Sequence, residues 1–200
     1  PTDFDAWVQK GAHGWGWGDL LPYFKKSESS PFAGEAGYGL DGPIHLMQPD
    51  PPHPLTEVHR AAGQSLGLQR LRDHNGSDGM AGPTVNTLTI DNGRRQSVSD
   101  AYLTPDVRSR NNLMLYTGLT VDRLVFENER ITGLIAHKAG EKVEYNARLG
   151  VLLCAGSIGT PMILMRSGLG PAGDLQKAGV VPRKDLPGVG GNLQDHLLSA

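Results

Sequence analysis

Ala155 and Gly156 are the residues whose types and spacing best suit ligand binding in this chain. They follow the apolar run Val151–Leu153 and precede Thr160 and Pro161. Small residues let the backbone turn tightly and allow a ligand to come close to it. Thr160 is a favourable N-cap, and Pro161 suits the first position of a helix. The pattern predicts a buried strand, a glycine turn and a helix whose N-terminal N–H groups are available to a phosphate.

Other chemistry-bearing residues lack the spacing that their chemistry needs. Ser157 does not lie in a G-x-S-x-G elbow, so we expect no serine nucleophile. The chain has no His-Glu-x-x-His motif, and we expect no metal site. Cys154 falls in the predicted apolar strand and is expected to be an inert, buried thiol. Five of the seven histidines show no ligand spacing and are expected to be surface or core residues: His45, His53, His59, His74 and His137.

One glycine motif is misleading. Residues 168–173 satisfy G-x-G-x-x-G, the pattern of dinucleotide-binding turns. That fingerprint must leave a strand and open a helix, whereas here it follows a predicted helix. Pro171 also lacks an N–H group that a phosphate could use. We therefore do not assign a phosphate site to this motif.

Composition and charge limit the classes of protein to which this chain can belong. The chain has 200 residues, with 19 Lys and Arg against 21 Asp and Glu, for a net charge of −2. This balance gives no basic patch, so we expect no nucleic-acid partner. The single cysteine excludes internal disulfides and suits a reducing compartment, which favours a cytoplasmic location. No apolar run approaches the roughly 20 residues that cross a bilayer. The chain opens on Pro1 rather than Met, and we expect it to be a fragment of a longer protein.

The predicted helices and strands of the chain, among which the 155–156 turn lies, fall into two parts. Residues 1–112 read as a helical and loop-rich segment, with helices over 3–11, 20–26 (capped by Asp19) and 56–66 and a strand over 42–46. Residues 113–200 begin with strands predicted over 113–116, 120–126, 131–138 and 142–146. Alternation of apolar residues in these strands predicts an antiparallel meander with one covered face. A strand over 149–153 should then enter a buried sheet.

Residues 156–170 carry a family resemblance. The run Gly156-Ser157-x-x-Thr160-Pro161-x-Ile163-Leu164-x-x-Ser167-Gly168-Leu169-Gly170 closely resembles the second signature of the glucose-methanol-choline (GMC) oxidoreductases, FAD enzymes that oxidise alcohols. Three other segments also resemble family sequences: Leu-Leu-Pro-Tyr-Phe within 17–28, Gly-x-Arg-x-Ser-x-x-x-Ala-Tyr-Leu at 93–103, and Gly-x-Asn-Leu-x-Asp-His at 190–196. The resemblance thus covers essentially the whole chain.

The resemblance implies a fold and a cofactor site. The fold would be α/β with α+β elements: part of an FAD/NAD(P)-binding Rossmann-like domain with an inserted antiparallel β-meander, plus part of a substrate-side region. FAD would be held by backbone contacts at Val121, Ala155, Gly156 and Asn192, with Val121 facing the adenine. The dinucleotide fingerprint and the catalytic histidine of the family lie outside this chain. No catalytic residue is therefore expected here, and Asp195 and His196 would be structural.

The implied reaction is oxidation of a small-molecule alcohol to an aldehyde or ketone by hydride transfer to flavin. Choline dehydrogenase-like and pyridoxine oxidase-like branches of the family are both compatible with the sequence. The electron acceptor and the oligomeric state stay open. Two alternatives also stay open, a GMC-derived lyase of the hydroxynitrile lyase type with a structural FAD, and a non-catalytic α/β binding module.

Overall fold

The computed structural model describes residues 1–76, 79 and 81–195. The chain divides into two compact units, Pro1–Met114 and Leu115–Ala200. The sequence predicts a boundary between residues 112 and 113. The roles that it gave to the two parts stay a prediction.

Short elements make up the first unit. Its helices are α1 (Thr2–Gln9), α2 (Trp17–Ser27), α3 (Pro54–Ser65), α4 (Val98–Tyr102) and α5 (Pro105–Arg108). Its strands are β1 (Glu28–Ser29), β2 (Ile44–His45), β3 (Ile90–Asp91) and β4 (Arg94–Arg95). β1 and β2 pair in parallel, and β3 and β4 form an antiparallel hairpin. The turn between β3 and β4 has positive φ at Asn92 and Gly93, which fits a two-residue hairpin turn.

Helix starts in this unit depart from the sequence prediction. Asp19 is not the N-cap of α2, because the helix begins earlier, at Trp17. Its carboxylate instead accepts the N–H of the true N-cap, Gly16, at 3.2 Å. Likewise α3 starts before Thr56, and its N-cap His53 accepts the Leu55 N–H through Nδ1. The start thus differs from the prediction in both helices: in α2 the predicted cap bonds the N-cap N–H from inside the helix, and in α3 an earlier residue is the cap.

A meander forms the sheet of the second unit, as the alternation predicted. Strands β5 (Thr120–Glu127), β6 (Arg130–Lys138) and β7 (Glu141–Asn146) pair antiparallel in the order β5-β6-β7. Ala139 and Gly140 both have positive φ in the two-residue turn between β6 and β7. The buried apolar residues of this unit are Leu124, Ile135, Ala136, Ile163 and Leu175.

The remaining elements follow the meander. They are α6 (Gly156–Arg166), β8 (Leu169–Gly170), α7 (Ala172–Lys177) and β9 (Lys184–Asp185). β8 and β9 pair in parallel. Asp185 accepts the N–H of Ala172 through Oδ1 at 2.9 Å, so the first turn of α7 is capped by a carboxylate from β9.

Two predicted strands are wrong. Residues 113–116 and 149–153 form no strand within the described part of the chain. Leu149 and Leu152 are 100% and 93% exposed, and Cys154 is exposed rather than buried. A strand exists only where a neighbour pairs with its N–H and C=O groups, and no described strand pairs with these runs in a sheet. An apolar composition therefore did not suffice to make them strands.

Candidate functional site

The turn at Ala155 and Gly156 opens helix α6. Gly156 has φ +80°, and apart from its chain neighbours and the backbone of its own helix, no atom lies within 4 Å of the position that a Cβ would occupy. The helix begins at this turn with Ala155 as N-cap, so the predicted cap at Thr160 is wrong. Thr160 nevertheless acts on the turn, because its Oγ1 accepts the Ala155 N–H at 3.1 Å from one turn further along.

Pro161 lies inside α6 rather than at its first position. A proline there cannot donate to the carbonyl four residues earlier, which is that of Ser157. The N–H groups in the first turn of α6 have no intrahelical acceptors. In addition, the Ser157 carbonyl lacks its usual intrahelical donor.

A glycine-rich loop, residues 188–194, lies against α6. Within it Gly190 has φ +76° and Asn192 has φ +54°. A Cβ at Gly190 would lie 3.3 Å from Met165 Cε and 3.8 Å from Pro161 Cβ. The loop can approach the helix this closely because Gly190 has no side chain.

The loop and α6 together form a groove of about 580 Å³. Its helix wall is lined by Ser157, Ile158, Pro161, Met162, Leu164 and Met165, and its loop wall by residues 188–194. The volume lies within the usual range for small-molecule and cofactor sites, roughly 300–1,000 Å³. The groove combines apolar side chains with a polar backbone, which suits an extended ligand with one flat apolar part.

Of the four predicted cofactor residues, one is part of the groove lining and three are not. Asn192 lines it directly, and Ala155 and Gly156 immediately precede its first wall residue, Ser157. Val121 lies at the other end of the same helix, where its carbonyl accepts Arg166 Nη2 at 3.4 Å. Helix α6 has 11 residues, and the ten steps from its first to its last residue correspond to about 15 Å. Ala155 and Gly156 thus lie at the start of α6, Val121 contacts its last residue, and Asn192 lies on the loop beside it. Their role in binding remains a proposal.

Sequence reasoning missed the side chains that connect α6 to the meander. Arg166 Nε donates to the Asp122 carbonyl at 2.9 Å, and the buried Ser167 hydroxyl accepts the Leu124 N–H at 2.9 Å. Both contacts join residues more than forty positions apart. No local periodicity or motif spacing carries a signal for such pairs.

The histidines and the 168–173 glycine motif form no further ligand site among the described residues. Among residues 1–76, 79 and 81–195, no three His, Cys, Asp or Glu side chains come together in a way that could hold a metal ion. The Ala172 N–H in the 168–173 glycine motif is already bonded to Asp185. His196 lies outside the described residues. No helix in the described ranges has the length and apolar character needed to span a bilayer.

Known proteins resemble the chain closely. A sequence model described as GMC oxidoreductase matches residues 1–198. An oxygen-dependent choline dehydrogenase of Rhizobium etli is 40% identical over 195 residues, covering 98% of this chain and 35% of that protein. The chain therefore spans about a third of the length of this curated relative.

Solved structures agree with these sequence matches. The crystal structure of a pyridoxine 4-oxidase from Mesorbium loti superposes with a TM-score of 0.86 at 43% identity, over 94% of this chain and 37% of that one. An FAD-dependent oxidoreductase from Chaetomium thermophilum gives a TM-score of 0.76 at 28% identity, over 93% and 34%. The mixed helix and strand fold with small sheets is that of these proteins. By sequence match and by fold, the chain belongs to the GMC oxidoreductase family.

Proposed function

We propose that this chain is part of an FAD-dependent oxidoreductase that oxidises a small alcohol to an aldehyde or ketone. The observation that carries the proposal is the groove between α6 and the 188–194 loop, in a chain that belongs to the GMC family. The family match makes a flavin the expected ligand, and the groove offers a site of suitable size and character.

The residues of the groove fit an FAD molecule. Gly156 with φ +80° leaves open space beside the first turn of α6, where N–H groups and the positive end of the helix dipole favour an anionic group. Asn192 with φ +54° exposes a second stretch of turned backbone on the opposite wall. Apolar side chains of Ile158 and Met162 form part of the wall between them. A dinucleotide with a charged middle and flat ring ends matches this arrangement.

Four residues would hold the cofactor through their backbones. Ala155 and Gly156 would face it from the turn, Asn192 from the loop, and Val121 would present N–H and C=O to the adenine. When bound, FAD supplies the acceptor for the hydride that leaves the alcohol carbon. The work of this chain is to bind and orient, and we assign no catalytic residue to it. The group that takes the hydroxyl proton would lie elsewhere in the full-length protein.

The substrate would be a small alcohol. Relatives at similar identity are named for choline and for pyridoxine, which differ in charge and in ring structure. The sequence similarity does not favour one over the other, because the two identities are 40% and 41%. The first alcohols to test are therefore choline and pyridoxine.

The deciding experiment is anaerobic mixing of the full-length flavoprotein with each alcohol. Oxidation of the alcohol transfers a hydride to the flavin and bleaches its visible absorption. The O-methyl ether of choline is a matched control, since it lacks the hydroxyl proton and should leave the spectrum unchanged. Reoxidation with oxygen or with a quinone then identifies the electron acceptor.

Two other results would contradict the proposal. A tightly bound flavin that no alcohol bleaches would favour the lyase alternative with a structural cofactor. A full-length protein that binds no flavin would favour the non-catalytic module. The 200-residue chain by itself is expected to retain little flavin, because the dinucleotide fingerprint of the family is not among its residues. We further propose a cytoplasmic location, supported by the single cysteine.

A further inference from the structure

Strand β5 carries an irregularity beside Val121. Val121 pairs with Ala136 of β6, and the next pair is Arg123 with Ile135. Asp122 is therefore the extra residue of a β-bulge. A bulge bends its strand, interrupts the ladder and turns the adjacent backbone to a new direction, which is why bulges are frequent next to binding sites.

Arg166, the last residue of α6, holds this bulge. Its Nε donates to the Asp122 carbonyl at 2.9 Å, and its Nη2 donates to the Val121 carbonyl at 3.4 Å. Its Nε also lies 3.5 Å from Asp122 Oδ1. The planar guanidinium presents several donors in a fixed geometry. One side chain can therefore fix the direction of two successive carbonyls where the regular β-ladder is interrupted.

The carboxylate of Asp122 is held from a second side. Arg123 Nη1 lies 2.6 Å from Asp122 Oδ2, and His137 Nε2 lies 4.0 Å from the same oxygen. Arg166 is thus one of two arginines around a single carboxylate. Of these two arginines, Arg166 donates to the backbone carbonyls of the bulge, whereas Arg123 donates to the carboxylate of Asp122.

We propose that Arg166 is a positioning residue for the adenine half of FAD. It fixes the bulged edge of β5 so that the Val121 backbone faces the adenine. A carbonyl oxygen has two lone pairs, so the bond from Arg166 leaves Val121 able to accept a second donor. The inference rests on the proposed function and adds the residue that sets the geometry of its adenine site.

Arg166 is not needed to close the core. Its side chain is 42% exposed, and the buried fastening of α6 to β5 is made by Ser167. Loss of the guanidinium should therefore change the direction of the Val121 backbone more than it changes global stability. This separates a positioning role from a general structural one.

The test compares two flavins in the full-length apoprotein. FAD contains the adenine, whereas FMN lacks it, so their dissociation constants report separately on the adenine site and on the flavin site. Arg166→Met should weaken FAD binding about tenfold, about the value of one hydrogen bond between the Val121 backbone and the adenine, and should change FMN binding by less than about twofold. Arg166→Lys, which keeps the charge but not the fork, should give an intermediate loss for FAD.

Arg123→Met is the matched control. Arg123 is similarly exposed at 46% and contacts the same carboxylate of Asp122. The Arg123→Met variant should have the same ratio of FAD to FMN dissociation constants as the wild-type protein. Fluorescence quenching of each flavin gives the constants, and the melting temperature of each apoprotein shows whether it is folded.

The outcomes are distinct. Equal weakening of FAD and FMN, or no change in either, overturns the role of Arg166. If Arg166→Met does not fold, the FAD to FMN ratio of Arg166→Lys decides instead. A wild-type protein that binds neither flavin refutes the proposed function itself, whereas tight wild-type FAD binding with an unaltered ratio in the variants refutes only this inference.

Discussion

The Ser167 hydroxyl accepts the backbone N–H of Leu124 at 2.9 Å, and this bond fastens the end of α6 to the middle of β5. The same hydroxyl donates to the Ile163 carbonyl at 2.6 Å. Ser167 and Leu124 are both buried. A short polar side chain therefore sets the distance between the helix that carries the groove and the strand that carries Val121.

Ser167→Ala should destabilise the protein by about 1–3 kcal/mol, because the buried Leu124 N–H loses its acceptor. Urea unfolding measures the loss. The control is Ser65→Ala, since the exposed Ser65 hydroxyl donates to the Ala62 carbonyl and shares no buried partner. A loss for Ser167→Ala no larger than that for Ser65→Ala would show that the bond to Leu124 does not stabilise the fold.

Gly156→Ala should lower the flavin content of the full-length protein. Gly156 has φ +80°, a conformation that costs an L-residue with a Cβ about 1–2 kcal/mol. The turn at the start of α6 would relax and move its N–H groups. Gly150→Ala is the control, since Gly150 does not have a positive φ and has open space around it. Flavin absorbance per protein is measured for both, and equal content would contradict a role for the turn.

The meander could be predicted from the sequence because its signal is local. Alternating residues such as Val121, Arg123 and Val125 lie within single strands, and the turns carry Asn128 or Gly140 with positive φ. The glycine turn at Gly156 was predicted for the same reason. Each of these features depends on residues a few positions apart.

Features that depend on distant partners were missed or wrong. The run 149–153 was expected to be a strand, yet pairing depends on neighbours that its own composition does not reveal. The start of α6 differs for a local reason instead, because Thr160 accepts the Ala155 N–H from inside the helix. The bulge at Asp122 is bonded to Arg166, which lies 44 positions away. Such pairs are visible only in the folded chain.

Cys154 should react with a disulfide reagent in the folded 200-residue chain. Its thiol is exposed, in contrast to the buried thiol that the apolar sequence predicted. We expect close to one equivalent of reagent per chain without denaturant, since this is the single cysteine. Cys154→Ser gives the blank. A thiol that reacts only after denaturant is added would show that residues 149–154 are covered in the folded chain.

Tyr38 should ionise only at unusually high pH. Burial, followed by the hydrogen bond to Asp73, raises the pKa of Tyr38 to about 12 from 10.0. The hydroxyl donates to Asp73 Oδ2 at 2.9 Å, and Asp73 itself is buried. The folded state therefore favours the neutral phenol. The stabilisation is complete below about pH 10, the unfolded value, and is lost as the pH rises towards 12.

Ultraviolet absorbance of tyrosinate measures this ionisation. The difference between wild type and Tyr38→Phe isolates the phenol of Tyr38, and its midpoint should fall near pH 12. Asp73→Asn keeps an acceptor but removes the charge, so its midpoint should fall between the ordinary value and that of the wild type. A wild-type difference that titrates at the ordinary tyrosine pKa would mean that the Tyr38–Asp73 bond does not form in solution. In that case the loop that carries Tyr38 would lose its polar tie to residue 73, and the pH dependence of stability above pH 10 would have another cause.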